Sequence, residues 1–291
     1  MTFLQSIHSI LGMGGSLSQK RPNQKKFRKL RNRYRGSRCF IMGNGPSLNK
    51  TPLEKLEGEH VWGVNRCHLL YDRISWRPKF YCAVDHRVTP SISTQIDTQS
   101  LQLPDTTFFM PEQYAGLQDW EDRENIIWTR EKLQDPSLGA DGYFATNPPD
   151  FLRTPNTVTI TCIQLAVFMG FNPIYLIGCD AKWVMPEGLA TGEGEVTDPG
   201  TGELVTNFAL TMESDSDPNH FHPDYFKKGD PWTAPNVGGQ LFGYARVKDK
   251  CDSLGVGVLN ATVGGELEVF PRANIVELLN ASDFESTSHA E

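Results

Sequence analysis

The chain has no Cys-x-x-Cys pair, and its first 38 residues contain no acidic residue. The first absence matters because thiols paired at that spacing build zinc and redox centres. The six cysteines stand at 39, 67, 82, 162, 179 and 251. Cys39, Cys82 and Cys179 fall inside apolar strand-like runs, and Cys162 in an apolar helix-like run. That pattern predicts buried, reduced thiols in a cytosolic protein rather than a disulfide frame or a zinc site. The second absence isolates a basic head. Ten Lys or Arg fall between Lys20 and Arg38, leaving 18 Lys and Arg against 35 Asp and Glu in the rest, a net charge of −17. So acidic a body is a poor candidate for wrapping nucleic acid.

Ahead of the basic run, Phe3, Leu4, Ile7, Ile10 and Leu11 recur at helical spacing. The stretch is too short to span a bilayer, and it lacks the basic n-region and cleavage site of a signal peptide. Two readings stay open. One is an amphipathic helix with a basic patch held on the anionic inner face of the membrane. The other is a solvated, disordered leader. The sequence therefore divides into a leader over residues 1–36, one domain over 37–280 and a disordered tail over 281–291. The 291 residues, 38% hydrophobic and 22% charged, suffice for a sizeable core. No repeat is present, and no low-complexity tract beyond the head.

Apolar runs alternate with helical patterns along the domain. Predicted strands are Cys39–Met42, His60–Val64, Lys79–Val84, Thr107–Met110, Asn125–Trp128, Pro173–Cys179 and Val256–Asn260. A helix is predicted from Thr157 to Met169, apolar on nearly every face and stopped at Gly170. Another spans Gly239 to Leu254. Strands apolar throughout and alternating with helices predict an α/β fold, a Rossmann-like three-layer sandwich around a mostly parallel sheet. The polar stretch 184–236 reads as a lid insertion over the sheet's carboxyl edge, with a hairpin across Glu195–Val205.

The chemistry gathers at the predicted strand ends. Gly43-Asn44-Gly45-Pro46-Ser47-Leu48 follows the first strand and precedes a predicted helix, Thr51–Leu56. Such a strand, glycine turn and helix start suits a phosphate, because glycines permit close approach and a helix start offers free N–H groups. The second strand ends at Asn65, the third at Asp85 and a later one at Asp180-Ala181-Lys182. A carboxamide both donates and accepts, which suits a base or a sugar hydroxyl. Asp85 and Asp180 are candidate Mg²⁺ ligands beside phosphates. Each residue alone also reads as a turn or cap residue. A second cluster, Asn219-His220-Phe221-His222-Pro223-Asp224-Tyr225-Phe226, concentrates groups for proton transfer. His220, His222 and Tyr225 are the candidate catalytic residues, since imidazole titrates near operating pH.

These blocks carry a resemblance. The Gly43–Leu48 turn, Gly63-Val64-Asn65-Arg66, Gly170 to Asp180, His220 to Phe226 and Asn260 to Pro271 resemble a large bacterial family. It is the domain-of-unknown-function group labelled 6-hydroxymethylpterin diphosphokinase MptE-like. That group is similar in turn to bacterial sialyltransferases and to the flagellin-glycosylation motility accessory factors. The resemblance covers roughly residues 37–272 and implies two chemistries. In the sialyltransferase reading, Asn44, Gly45, Ser47 and Asn65 hold a nucleotide-sugar, Thr157 and Thr159 touch the nucleotide, and a histidine of the 220–222 loop is the base. Lys182 there stands near the leaving phosphate. In the pterin kinase reading, the glycine turn and the strand-end acids hold ATP and Mg²⁺, although only Asp85 stands where those kinases carry a doubled acid. A non-catalytic nucleotide-sugar-binding protein is the third alternative. The expected partners are a nucleotide-sugar or nucleoside triphosphate and a glycan or small-molecule acceptor, in surface-glycan synthesis, with no nucleic acid.

Overall fold

The computed structural model describes residues 24–85, 88–117, 123–184, 186, 189–191, 196–197, 204–205, 210–232 and 235–280. The elements needed below are helices α1 (Gln24–Arg28), α2 (Val88–Ser91), α3 (Ser93–Gln102), α4 (Val158–Met169) and α5 (Val237–Ser253). The strands are β1 (Cys39–Met42), β2 (Val61–Val64), β3 (Phe80–Cys82), β4 (Thr107–Pro111), β5 (Ile126–Thr129), β6 (Glu131–Lys132), β7 (Leu152–Arg153), β8 (Ile174–Ile177), β9 (Leu189–Thr191), β10 (Val196–Thr197), β11 (Leu204–Val205), β12 (Leu210–Met212), β13 (Pro231–Trp232) and β14 (Val258–Asn260).

Seven strands form one sheet in the order β14-β8-β1-β2-β3-β4-β5. Every neighbouring pair in it is parallel. β1 and β8 are buried along their whole length because both faces of the sheet are covered. Cys39, Ile41, Trp62 and Phe80 point to the side of α4 and α5, where Ile160, Ile163, Ala166 and Val247 meet them. Phe40, Met42, Tyr81 and Phe108 point to the other side, onto Leu48, Leu56, Ile92 and Ile96. This is the expected three-layer α/β sandwich. The chain steps from β1 to β5 in one direction and then returns to β8 on the other flank of β1. That reversal is the kind of place where open α/β sheets bind ligands, outside the carboxyl ends of the strands.

α4 forms where expected. Thr157 caps it by accepting from the Thr159 amide, and Gly170 ends it at φ 90°, a left-handed value that glycine adopts without Cβ strain. The helix predicted over Thr51–Leu56 does not form. Two 3₁₀ turns, Pro46–Lys50 and Leu53–Leu56, stand there instead. In a helix running from Pro46 to Leu56, Pro52 would lack the N–H that bonds the Leu48 carbonyl, and the two turns part at Thr51–Pro52. The dipole of a full helix start is therefore absent behind the glycine turn.

The leader also ends earlier than the sequence indicates. Residues 24–36 pack on the body. Phe27 is buried, edge-on to Phe109 and Phe168 with ring centroids 5.8 and 5.6 Å away. The Asn32 amide donates to the Phe168 carbonyl and the Tyr34 amide to that of Met169, which covers the open end of α4. The amphipathic stretch at residues 3–11 and the tail 281–291 lie outside the described residues.

The insertion 184–236 carries two small antiparallel sheets, β13-β12-β9 and β10-β11. The second is the predicted hairpin, with Val196 opposite Val205 and Thr197 opposite Leu204. All six cysteines are buried and unpaired, as the sequence leads one to expect.

Candidate functional site

The glycine turn after β1 is shaped by its neighbour strand. The Gly43 amide donates to the Ile177 carbonyl at 2.8 Å and the Gly45 amide to that of Gly178 at 2.9 Å. A Cβ on Gly43 would overlap the Gly178 carbonyl, and one on Gly45 the Asp180 carboxylate. The glycines thus let the loops after β1 and β8 touch. Ser47 Oγ donates to Asp180 Oδ2 at 2.7 Å and closes the same junction. Burial raises the pKa of Asp180, while the Ser47 bond holds it back.

Asn44 points the other way, toward β2. Its Nδ2 donates to the Val64 carbonyl at 3.1 Å and to the Tyr225 hydroxyl at 3.0 Å. The Val64 carbonyl only accepts, so the amide nitrogen must face it and Oδ1 must face away. Asn44 is 8% exposed, and its Oδ1 has no partner. Asn65, in left-handed backbone at φ 48°, has a buried Oδ1 with no partner either. The Tyr225 hydroxyl accepts from Asn44, and burial raises its pKa. Arg66 Nε and His68 Nδ1 are also buried without partners. Burial and the nearby Arg66 charge push the His68 pKa down to about 4. Buried polar atoms without partners are rare in folded proteins, and each costs about 1–3 kcal/mol. Asn44 follows β1, while Asn65, Arg66 and His68 follow β2, so these atoms lie at the ends of two neighbouring strands.

The histidine loop lies directly over this place. The Phe221 amide donates to the Asn44 carbonyl at 3.0 Å, and Asn49 Nδ2 to the Phe221 carbonyl at 2.9 Å. Phe221 and Tyr225 are buried in the core beneath. The His220 ring stacks on Tyr225, with centroids 3.7 Å apart and planes 4° from parallel. Its Nδ1 meets Asp217 Oδ2 at 2.7 Å. A carboxylate only accepts, so Nδ1 carries the proton and neutral His220 keeps its lone pair on Nε2. His222 is wired the opposite way. Its Nδ1 accepts from the Asp224 amide at 3.0 Å, which places the proton of the neutral ring on Nε2. Of the two, only His220 presents a basic Nε2.

The structure brings Gly43, Asn44, Gly45, Ser47, Asn65, Asp180, His220 and Tyr225 to one edge. It leaves others aside. Thr157 caps α4, and Thr159 is buried. Lys182 pairs with Glu266 at 3.1 Å on the surface, so its charge is already met. Asp85 accepts from the Val88 amide at 2.8 Å and caps α2. β3 and β8, which carry Asp85 and Asp180, are three strand positions apart, about 14 Å at the usual spacing. One ion does not bridge ligands that far apart, so the two do not form a shared Mg²⁺ site. Among the described residues no group of three or more His, Cys, Asp or Glu is placed around a common metal position. Asp217 and His68 carry no strand-end signal in the sequence, and Arg66 stands out only as the neighbour of Asn65 at the second strand end. An acid three residues ahead of a histidine was the only signal for Asp217.

A family model described as 6-hydroxymethylpterin diphosphokinase MptE-like matches residues 17–185, more than half of the chain. The chain belongs to this MptE-like family. The matched stretch runs from the basic head past β8 and so includes Asn44, Asn65 and Asp180, while the His220 loop lies beyond it. No curated protein matches the chain. Among solved structures, one of a MAf glycosyltransferase from Magnetospirillum magneticum AMB-1 is similar at 14% identity and a TM-score of 0.47. The alignment covers 93% of this chain but only 42% of that one, so this MptE-like chain spans less than half of that protein's length.

Proposed function

We propose that this MptE-like protein is a nucleotide-dependent transferase that moves a sugar from a nucleotide-sugar to an acceptor hydroxyl in surface-glycan synthesis. The observation that carries this reading is the pair of buried, partnerless carbonyl oxygens of Asn44 and Asn65 around Tyr225. Two acceptors at the neighbouring ends of β1 and β2 call for a ligand with two donors, as ribose hydroxyls or an exocyclic amine supply. In this reading Arg66, which pairs with Asp230 at 3.6 Å beside Asn65, turns from that acid to neutralise phosphate.

His220 supplies the chemistry. Its Nε2 takes the proton from the acceptor hydroxyl as that oxygen bonds to the anomeric carbon. The bond from the anomeric carbon to the phosphate oxygen breaks, and its electron pair leaves with the nucleotide. No residue need bond to the sugar, so positioning and the base carry the step.

The family description names a diphosphokinase, which supports a second reading: ATP-dependent pyrophosphoryl transfer at the same edge. A thermal-shift series with CMP, CDP, UDP, GDP and ATP, each with and without Mg²⁺, separates the two. A nucleotide at 100 times its Kd should add about 2.7 kcal/mol of stability. Stabilisation by a nucleoside mono- or diphosphate without Mg²⁺, lost in Asn44→Ala, is expected. Stabilisation by ATP with Mg²⁺ alone favours the kinase reading, and no response to any nucleotide refutes both.

A further inference from the structure

We infer that Asp217 is the positioning residue that makes His220 a base, and that the pair works as an oriented carboxylate–imidazole dyad. The inference rests on the reading of His220 as the proton acceptor and deepens it. Four observations meet at the pair. The Asp217 side chain is fully buried, whereas that of His220 is 24% exposed, so the carboxylate lies behind the ring and the ring faces outward. Both Asp217 oxygens are engaged. Oδ2 meets His220 Nδ1 at 2.7 Å, and Oδ1 accepts from the Asn219 amide at 3.0 Å. The carboxylate is therefore fixed in rotation as well as in place. The ring plane is fixed independently, by the parallel stack on Tyr225 and by Phe226, edge-on with centroids 5.4 Å away. Finally, Tyr225 is tied by its hydroxyl to Asn44, so the ring is registered against the proposed nucleotide contact itself.

A histidine used only as a packing ring has no need of a buried carboxylate on one nitrogen. A histidine that takes a proton needs its tautomer set, its ring held and the positive charge it acquires met by a fixed negative one. Asp217 does all three through Nδ1 and leaves Nε2 for the acceptor.

The test reads the tautomer directly. Nitrogen NMR of the full chain labelled with ¹⁵N-histidine should show neutral His220 with a protonated Nδ1 and a bare Nε2. In Asp217→Asn the new amide donates to Nδ1, and the proton should move to Nε2. Turnover should then fall by about 10²–10⁴-fold, the usual range for losing a general base, while nucleotide affinity stays within about twofold. Asp217→Glu keeps a carboxylate and should retain the wild-type tautomer. A wild-type His220 protonated on Nε2 overturns the inference, and so does an Asp217→Asn protein with the wild-type tautomer. The wild-type spectrum alone decides the matter if Asp217→Asn does not fold. Failure to bind any nucleotide would sink the transferase reading yet leave the tautomer result standing, so the two failures are distinguishable.

Discussion

Replacing Gly45 with alanine distinguishes a glycine turn built for a ligand from one built for its neighbour strand. An added methyl would meet the Asp180 carboxylate and the Gly178 carbonyl. The carboxylate can swing away, but only by giving up its bond to Ser47. Overpacking of this kind costs about 1–3 kcal/mol, and a cost of about 2 kcal/mol lowers the melting temperature of a domain this size by roughly 6 °C. Gly43→Ala should cost more, because the atom in its way is the Gly178 carbonyl, which belongs to the backbone. The neighbour-strand account also predicts coupling. In an Asp180→Ala background Gly45→Ala should be milder by about 1 kcal/mol, while Gly43→Ala should be unchanged. Differential scanning calorimetry of the ligand-free single and double variants gives all of these values. If Gly45→Ala melts within 1 °C of wild type while nucleotide binding disappears, the turn serves the ligand and the reasoning fails.

Two further predictions follow from individual side chains. Burial pushes the Glu131 pKa up to about 7, whereas that of His68 is down at about 4. Protonated Glu131 favours the fold below about pH 4.5 and loses that effect as the pH rises through 7. Neutral His68 favours the unfolded state as the pH falls from 6.5 toward 4, because the unfolded histidine takes up a proton that the folded one refuses. The two slopes oppose between about pH 4.5 and 6.5. Glu131→Gln should therefore lose stability more steeply on acidification across that window, and equal slopes of urea midpoint against pH would contradict this. Lys182→Ala removes a mostly exposed ion pair with Glu266 and should cost at most about 1 kcal/mol. Its nucleotide affinity by titration calorimetry should match wild type, and a tenfold loss would return Lys182 to the phosphate.

The sheet was legible because its strands are apolar without interruption. Cys39–Met42 and Ile174–Ile177 need no alternation to be read, and burial on both faces explains why they have none. α4 carried its own punctuation in Thr157 and Gly170. α3 carried almost none: of its hydrophobic residues Ile96 alone is deeply buried, and one position makes no stripe. The strand ends were read correctly as the polar edge, yet sequence could not separate their tasks. Asn44 and Gly45 are neighbours, but one faces β2 and the other packs on β8, a difference set wholly by sheet order. Thr157, Lys182 and Asp85 looked equivalent to Asn65 because helix caps, surface pairs and buried strand-end positions all take polar side chains. His220 was visible and its partner was not. Asp217 lies in a stretch dense with acids, and only folding selects one of them.

The docking of residues 24–36 bears on how the protein should be shortened for expression. A chain begun at residue 37, where the composition changes, would leave Phe109 and Phe168 without their cover and the last carbonyls of α4 open. Such a product is expected to be poorly soluble and sticky toward vesicles and columns alike. Any comparison designed to show whether the basic head holds the protein on a lipid surface would then report exposed aromatic rings. A cut before Gln24 removes the leading apolar stretch together with Lys20 and Arg21 and keeps the Phe27 anchor, so a change in lipid affinity can be ascribed to the residues removed.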